Sequence, residues 1–235
     1  MSAFFAVTTL KPQIGTITFE DLRQITIADL PGLIEGAHEN AGLGHRFLKH
    51  IERTQILLLM IDINGFRLGH KYPHRTPLET LALLNKELEL YGRNILSKPA
   101  VLLINKMDTE GAEEKWQKLE PLIRRFNGNE FLELINYQIL TNFCLISVLE
   151  SVRSLPEKFQ PEQVMSFEDV IKLSVQKDAQ GVKQLTQRIR QLLDVQEELK
   201  LNAGYSDQMA MEIRERKREQ MLQQAAAEHQ SNVLV

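Results

Sequence analysis

Four consecutive residues, Asn105, Lys106, Met107 and Asp108, complete and follow an apolar run at residues 99–105. A carboxylate held at such a strand end can accept two hydrogen bonds at once, from the N1–H and the 2-amino group of a guanine. Adenine has no matching pair of donors. A buried acceptor left unpaired costs about 1–3 kcal/mol, so a site built this way rejects it. The stem of Lys106 can lie over the base, and Asn105 can tie the loop together. A second set, Asp29, Leu30, Pro31 and Gly32, ends another apolar stretch at residues 24–30. An Asp at that point can hold Mg²⁺ through a water. The backbone N–H of a glycine three residues on can reach a terminal phosphate, because no side chain blocks it. Either set alone is also what a strand end followed by a polar turn looks like. Their order gives them weight: Asp-x-x-Gly, about 75 residues, then Asn-Lys-x-Asp, each after an apolar strand.

Such side chains need elements to hold them. Residues 14–19 and 24–30 read as strands separated by Glu20 and Asp21. Residues 42–54 carry Leu43, Phe47, Leu48 and Ile51 at helical spacing. The continuous apolar run 56–63 is expected to be a strand covered on both faces. A helix is expected from Pro77 to Tyr91, with Thr76 as its N-cap, Pro77 in its first position, Glu79 completing a capping box and Gly92 stopping it. Residues 99–105 form another buried strand, and 112–126 an amphipathic helix holding Trp116, Leu119, Leu122, Ile123 and Phe126. Residues 169–175 are the last strand and 181–195 the last helix of the domain. This alternation predicts an α/β fold with a parallel sheet, in which ligands bind beyond the C-terminal strand ends. Residues 136–161 are longer than a usual helix-to-strand connection and read as an insertion of uncertain order. From about residue 197 the chain turns charged and Gln/Ala-rich, so residues 1–196 read as the domain and 197–235 as a helical tail. In that tail Arg214, Arg216, Lys217 and Arg218 interleave with Glu212, Glu215 and Glu219, the pattern of a solvated helix face.

Composition narrows the function classes. The 235 residues suffice for a real core, and 43% hydrophobic with 25% charged is the balance of a globular protein. A formal net charge of −3 gives no bulk attraction to nucleic acid, so any RNA contact needs a local patch. One cysteine, Cys144, excludes a disulfide framework within the chain. No apolar run approaches the ~18 residues of a membrane span. No G-x-G-x-x-G follows a strand, which argues against a dinucleotide-binding enzyme.

The run DLPGLIEGAHENAGLGHRFLKHIERT, residues 29–54, closely resembles the second switch region of the Obg family of GTPases, with Lys49 as a conservative departure. VTTLKPQIG, residues 7–15, is similar to that family's first switch, with Val7 in place of Phe. LSVQKDAQGVKQL, from Leu173, resembles its guanine-specificity loop, with Val175 in place of Ala. The resemblance covers roughly residues 4–135 and 168–195 and is strongest to eukaryotic members, through FLKHIERT and KELELY. It implies a P-loop GTPase-like three-layer α/β/α sheet. It implies a nucleotide site made from Val7, Thr8, Thr9, Leu10 and Lys11, from Asp29, Leu30, Pro31 and Gly32, from Asn105, Lys106, Met107 and Asp108, and from Ser174, Val175 and Gln176. Thr9 and Asp29 would be Mg²⁺ ligands, and the backbone N–H groups of Ser174 and Val175 would lie near guanine O6. A second Ser-Val pair, at Leu145-Ile146-Ser147-Val148, is set aside because no glycine-led helix follows it. Implied cofactors are Mg²⁺ with GTP or GDP. The implied partner is the large ribosomal subunit or its precursor rRNA, in a mitochondrion or nucleolus. Many switch GTPases place a Gln after Asp-x-x-Gly to orient the attacking water. Here Leu33 stands there and cannot do so, which implies slow hydrolysis. Glu35, His38 and His45 are weaker candidates in the same loop.

One expected motif is missing from this sequence. A P-loop needs G-x-x-x-x-G-K-[ST], and none of the twelve glycines is followed by lysine. The expectation is therefore an incomplete sheet, lacking the first strand, P-loop and first helix of such a domain, in a chain truncated at its N-terminus. Two readings follow. One is a GTP-binding protein or GTPase; the other is a non-hydrolysing interaction module that no longer binds GTP tightly.

Overall fold

The computed structural model describes residues 13–29, 51, 53–67, 72–126, 131–132 and 149–202. Two sheets appear among them. The first is an antiparallel hairpin of β1 (Gln13–Thr18) and β2 (Gln24–Asp29). Its alternating Ile and Thr residues suit a half-exposed pleat, and Ile17 stands opposite Ile25, the buried residue of the pair of strands. The turn closes through Leu22 N–H donating to Phe19 O at 2.9 Å. Leu22 sits there at φ 66°, left-handed and 82% exposed.

The second sheet is parallel, in the order β3 (Leu57–Asp62), β4 (Ala100–Asn105), β5 (Phe167–Lys172). Parallel strands need crossovers, and helices supply them. The first crossover carries α1 (Pro77–Tyr91) and the short α2 (Arg93–Leu96); the second carries α3 (Ala112–Arg124). A last helix, α4, occupies residues 179–202. The chain divides into two compact units, residues 1–188 and 189–235.

The cap of α1 follows the expected pattern. Thr76 Oγ1 accepts from Glu79 N–H at 3.2 Å and Glu79 Oε2 accepts from Thr76 N–H at 2.7 Å, which satisfies two otherwise orphaned donors. Pro77 takes the first helical position and Gly92 ends the helix in an extended conformation, its N–H donating to Leu88 O.

The core lies on one face of the parallel sheet, where Leu57, Leu59, Ile61, Leu102 and Ile104 meet Leu78, Leu81 and Leu88 of α1 and Trp116, Leu119 and Leu122 of α3. β4 is buried at every position from Ala100 to Ile104, as a strand covered on both faces should be. β3 is not. Leu58 and Met60 alternate to its other face and are 37% and 47% exposed, which corrects the expectation for residues 56–63. The bounds of the last strand and the last helix also shift. The last strand runs Phe167–Lys172 rather than 169–175, ending early because Ser174 and the residues after it turn to form a helix cap. α4 runs over 179–202 rather than 181–195.

Part of the segment expected to be of uncertain order is packed. Within residues 136–161, residues 149–153 are helical, and Leu149, Val152 and Leu155 join the core cluster. Asn85 of α1, fully buried, fastens the chain just after them: its Oδ1 accepts from Met165 N–H at 2.8 Å and its Nδ2 donates to Gln163 O. The helix expected over 42–54 lies mostly outside the described residues; Ile51 and Arg53 are helical. Among the described residues no helix is long and apolar enough to cross a membrane.

Candidate functional site

Parallel register decides what can meet at the C-terminal edge of the sheet. Asp62, the last residue of β3, stands beside Asn105, the last of β4. Leu173, just past β5, hydrogen-bonds through its N–H to Ile104 O and through its carbonyl to Met107 N–H. Three strand ends therefore deliver three loops to one place: residues 62–65, 105–109 and 173–178.

Asn105 joins two of them. Its Oδ1 accepts from the backbone N–H of Lys106 at 2.8 Å and from that of Val175 at 3.1 Å. The chain then turns sharply, with Lys106 at φ 64°, a left-handed conformation that costs a non-glycine residue about 1–2 kcal/mol. Thr109 closes the turn: its N–H and Oγ1 both donate to Lys106 O, at 3.1 and 2.8 Å. This geometry sends the Lys106 side chain back toward β3, where Nζ pairs with Asp62 Oδ2 at 2.6 Å. Asn64 braces the same corner. It donates to Asp62 Oδ1 from its backbone N–H and its Nδ2, its Nδ2 also donates to Thr109 Oγ1 at 3.0 Å, and its Oδ1 accepts from Lys115 Nζ at 2.7 Å.

The third loop is set by a helix cap. Asp178 Oδ1 accepts from Gly181 N–H at 2.7 Å, the bond of an N-cap to the third helical residue. A Cβ at position 181 would lie 2.2 Å from Asp178 Oδ2, so glycine lets the capping carboxylate come this close. Upstream, Ser174 O accepts from the N–H groups of Lys177 and Asp178, at 3.2 and 2.8 Å. Ser174 itself is buried, and Gln176 is exposed on the turn.

Asp108 lies where these loops converge. Lys177 Nζ is 2.6 Å from its Oδ2, and the Ser174 side chain hydrogen-bonds the same carboxylate. Hydrogen bonds from Lys177 first and Ser174 second hold its pKa down to about 2. Asp108 is thus an acceptor-only, ionised carboxylate at neutral pH, the protonation state that recognition of a paired donor edge requires.

Of the residues selected from sequence, the structure brings together Asn105, Lys106, Met107, Asp108, Ser174 and Val175. One detail differs from expectation: the Val175 N–H is spent on Asn105, and Ser174 acts through its side chain on Asp108. Asp29 ends β2 in the separate two-stranded sheet, exposed and in register with Gln13. Val7, Thr8, Thr9, Leu10, Lys11, Leu30, Pro31, Gly32, Leu33, Glu35, His38 and His45 lie outside the described residues, as do the Ser147-Val148 pair and the charged tail residues. Sequence reasoning missed Asp62, Asn64, Thr109, Lys115 and Lys177. A signal for two of them existed: adjacent parallel strands end level, so the Asp-x-Asn after the apolar run at β3 had to sit beside Asn105. A groove along α3 and β5, at Trp116, Phe126 and Phe167, contains none of the selected residues.

The sequence has counterparts. Residues 2–106 match the family model described as 50S ribosome-binding GTPase. The chain is 42% identical over 214 residues to the GTP-binding protein 10 homolog of Drosophila melanogaster, covering 91% of this chain and 50% of that protein. It is 40% identical over 207 residues to human GTP-binding protein 10, covering 88% of this chain and 48% of that protein. The chain is thus similar to the Obg-type GTPases. Over a shorter stretch of 122 residues it is 44% identical to the probable GTP-binding protein OBGM, mitochondrial, of Oryza sativa subsp. japonica, covering 52% of this chain and 23% of that protein. The chain spans about half the length of the curated relatives it matches. The similarity to GTP-binding protein 10 of fly and human runs along nearly all of this chain.

Proposed function

We propose that this chain carries the guanine-recognising part of a GTP-binding Obg-type protein. The observation that supports this most is the joint held by Asn105, which ties the Lys106 and Val175 backbones together and sets the ionised Asp108 carboxylate beside Ser174. Asp108 accepts from guanine N1–H and the 2-amino group, the Lys106 stem covers the base, and Ser174, Val175 and Gln176 form the wall. Thr8, Thr9, Leu10 and Lys11 and the segment Leu30, Pro31, Gly32 contact the phosphate end, with Gly32 N–H as the donor to a terminal phosphate. Bound with nucleotide, Mg²⁺ would supply charge neutralisation between phosphates. Asp29 suits it as a hard oxygen donor at an exposed strand end, with Thr9 as its partner; Mg²⁺ usually takes one or two protein oxygens, with phosphate and water completing the shell. Leu33 offers no group to orient a water, so hydrolysis is slow without help from a partner. In this reading residues 1–196 are the nucleotide-binding domain and 197–235 a tail. The family model's description supports a large-ribosomal-subunit partner, and the mitochondrial relative supports a mitochondrial setting, with the nucleolus as the other candidate.

The test is Asp108→Asn. It exchanges an acceptor for a donor opposite position 2 of the purine, so preference moves from GDP toward xanthosine diphosphate. Full retention of guanine preference by a folded Asp108→Asn protein would overturn the assignment.

A further inference from the structure

The carboxylate assigned to guanine already has a cationic occupant. Lys177 Nζ lies 2.6 Å from Asp108 Oδ2. The Lys177 backbone is pinned, because its N–H donates to Ser174 O and the next residue, Asp178, caps α4. Its side chain is 70% exposed, so the ammonium can swing on a fixed base. The neighbouring ammonium, that of Lys106, is directed to Asp62 instead. Ser174 takes a further position on the Asp108 carboxylate. A carboxylate offers about four lone-pair sites, two on each oxygen. A guanine edge needs one on each oxygen, both facing the base, and the Lys177 ammonium sits on one of those oxygens.

We propose that Lys177 is a latch on the base site: its ammonium holds Asp108 Oδ2 and competes with guanine for that oxygen. This rests on the guanine reading above. The latch lowers the affinity for the base and makes that affinity depend on salt, because an exposed ion pair is screened. Exposed pairs of this kind shift equilibria by a factor of up to about five.

GDP titrated into the full chain, followed by amide chemical shifts, tests this with Lys177→Met and Lys177→Arg beside the natural sequence. Lys177→Met is expected to bind GDP about two- to fivefold more tightly at roughly 20 mM salt, with the advantage shrinking toward none at roughly 300 mM. Lys177→Arg, which keeps the charge, is expected to show no gain. An unchanged or weaker affinity for Lys177→Met, with an amide spectrum showing a folded chain, overturns the latch and leaves the guanine reading standing. Absence of GDP binding in all three proteins overturns the guanine reading and the latch with it.

Discussion

Replacing Asn105 by alanine removes one acceptor that serves two loops. Lys106 N–H, 2.8 Å away, and Val175 N–H, 3.1 Å away, both lose their partner. An ordinary intramolecular hydrogen bond nets about 0.5–1.5 kcal/mol, so the pair contributes about 1–3 kcal/mol. Val175 is 41% exposed, so water can take over part of its bond, which brings the expected loss to about 1–2 kcal/mol. For a chain of this size that lowers the melting temperature by about 2–8 °C. The contact from Asn105 Nδ2 to Met60 Sδ, at 3.5 Å, adds little, because a thioether sulfur is a weak acceptor. The damage is local. The β4–β5 bonds remain, so the amides of Lys106 and Val175 should exchange about five- to thirtyfold faster while those of Leu102 and Leu103 keep their protection. Hydrogen exchange with residue resolution reads this out. Unchanged exchange at Val175, or uniform loss of protection across the sheet, would falsify the claim that Asn105 is the joint between the two loops.

Other consequences are as direct. Asn85→Ala leaves the Met165 N–H and the Gln163 carbonyl without their partner in the core and should cost about 2–4 kcal/mol, read from urea midpoints; a loss under about 1 kcal/mol would mean water replaces the amide. Leu22→Gly relieves a left-handed leucine that buries nothing and should raise stability by up to about 1 kcal/mol; a drop in melting temperature would refute the strain argument. The Asp108 network has a pH signature: the folded pKa, about 2, is below the unfolded value of 3.8, so its stabilisation is complete above pH 3.8 and disappears as pH falls toward 2. The melting-temperature gap between the natural chain and Asp108→Asn should therefore close over that window, and a gap independent of pH would contradict it. The chain of 235 residues, with no G-x-x-x-x-G-K-[ST], should bind GTP weakly, and submicromolar Mg²⁺-dependent binding in a fluorescent-analogue titration would contradict that.

The fold was legible where one local rule settled the matter. Thr76, Pro77, Glu79 and Gly92 mark both ends of α1 because capping is a property of a few adjacent residues. Ala100–Asn105 reads as a central strand because every residue is apolar until the polar end. β3 has the same apolar composition, yet Leu58 and Met60 are exposed, because whether a face is covered depends on neighbours far along the chain. Residues 149–161 looked irregular because their packing uses Leu149, Val152 and Leu155 on a long-range surface, with no helical period extended enough to read. In the site, Asn105 and Asp108 were legible from residue type and spacing. The partners of Asp108 were less so. Lys177 reaches it from the turn that Asp178 caps, and that cap depends on Gly181 three residues on.

The central claim is that the loops at 105–109 and 173–178 form one base site selective for guanine. Amide spectra of the full chain titrated with GDP and, separately, with ADP test it most directly. The account predicts saturable shifts with GDP concentrated at Lys106, Asp108, Ser174 and Val175, and none of that pattern with ADP. Equal responses to both nucleotides, or GDP shifts centred away from these loops, would contradict it.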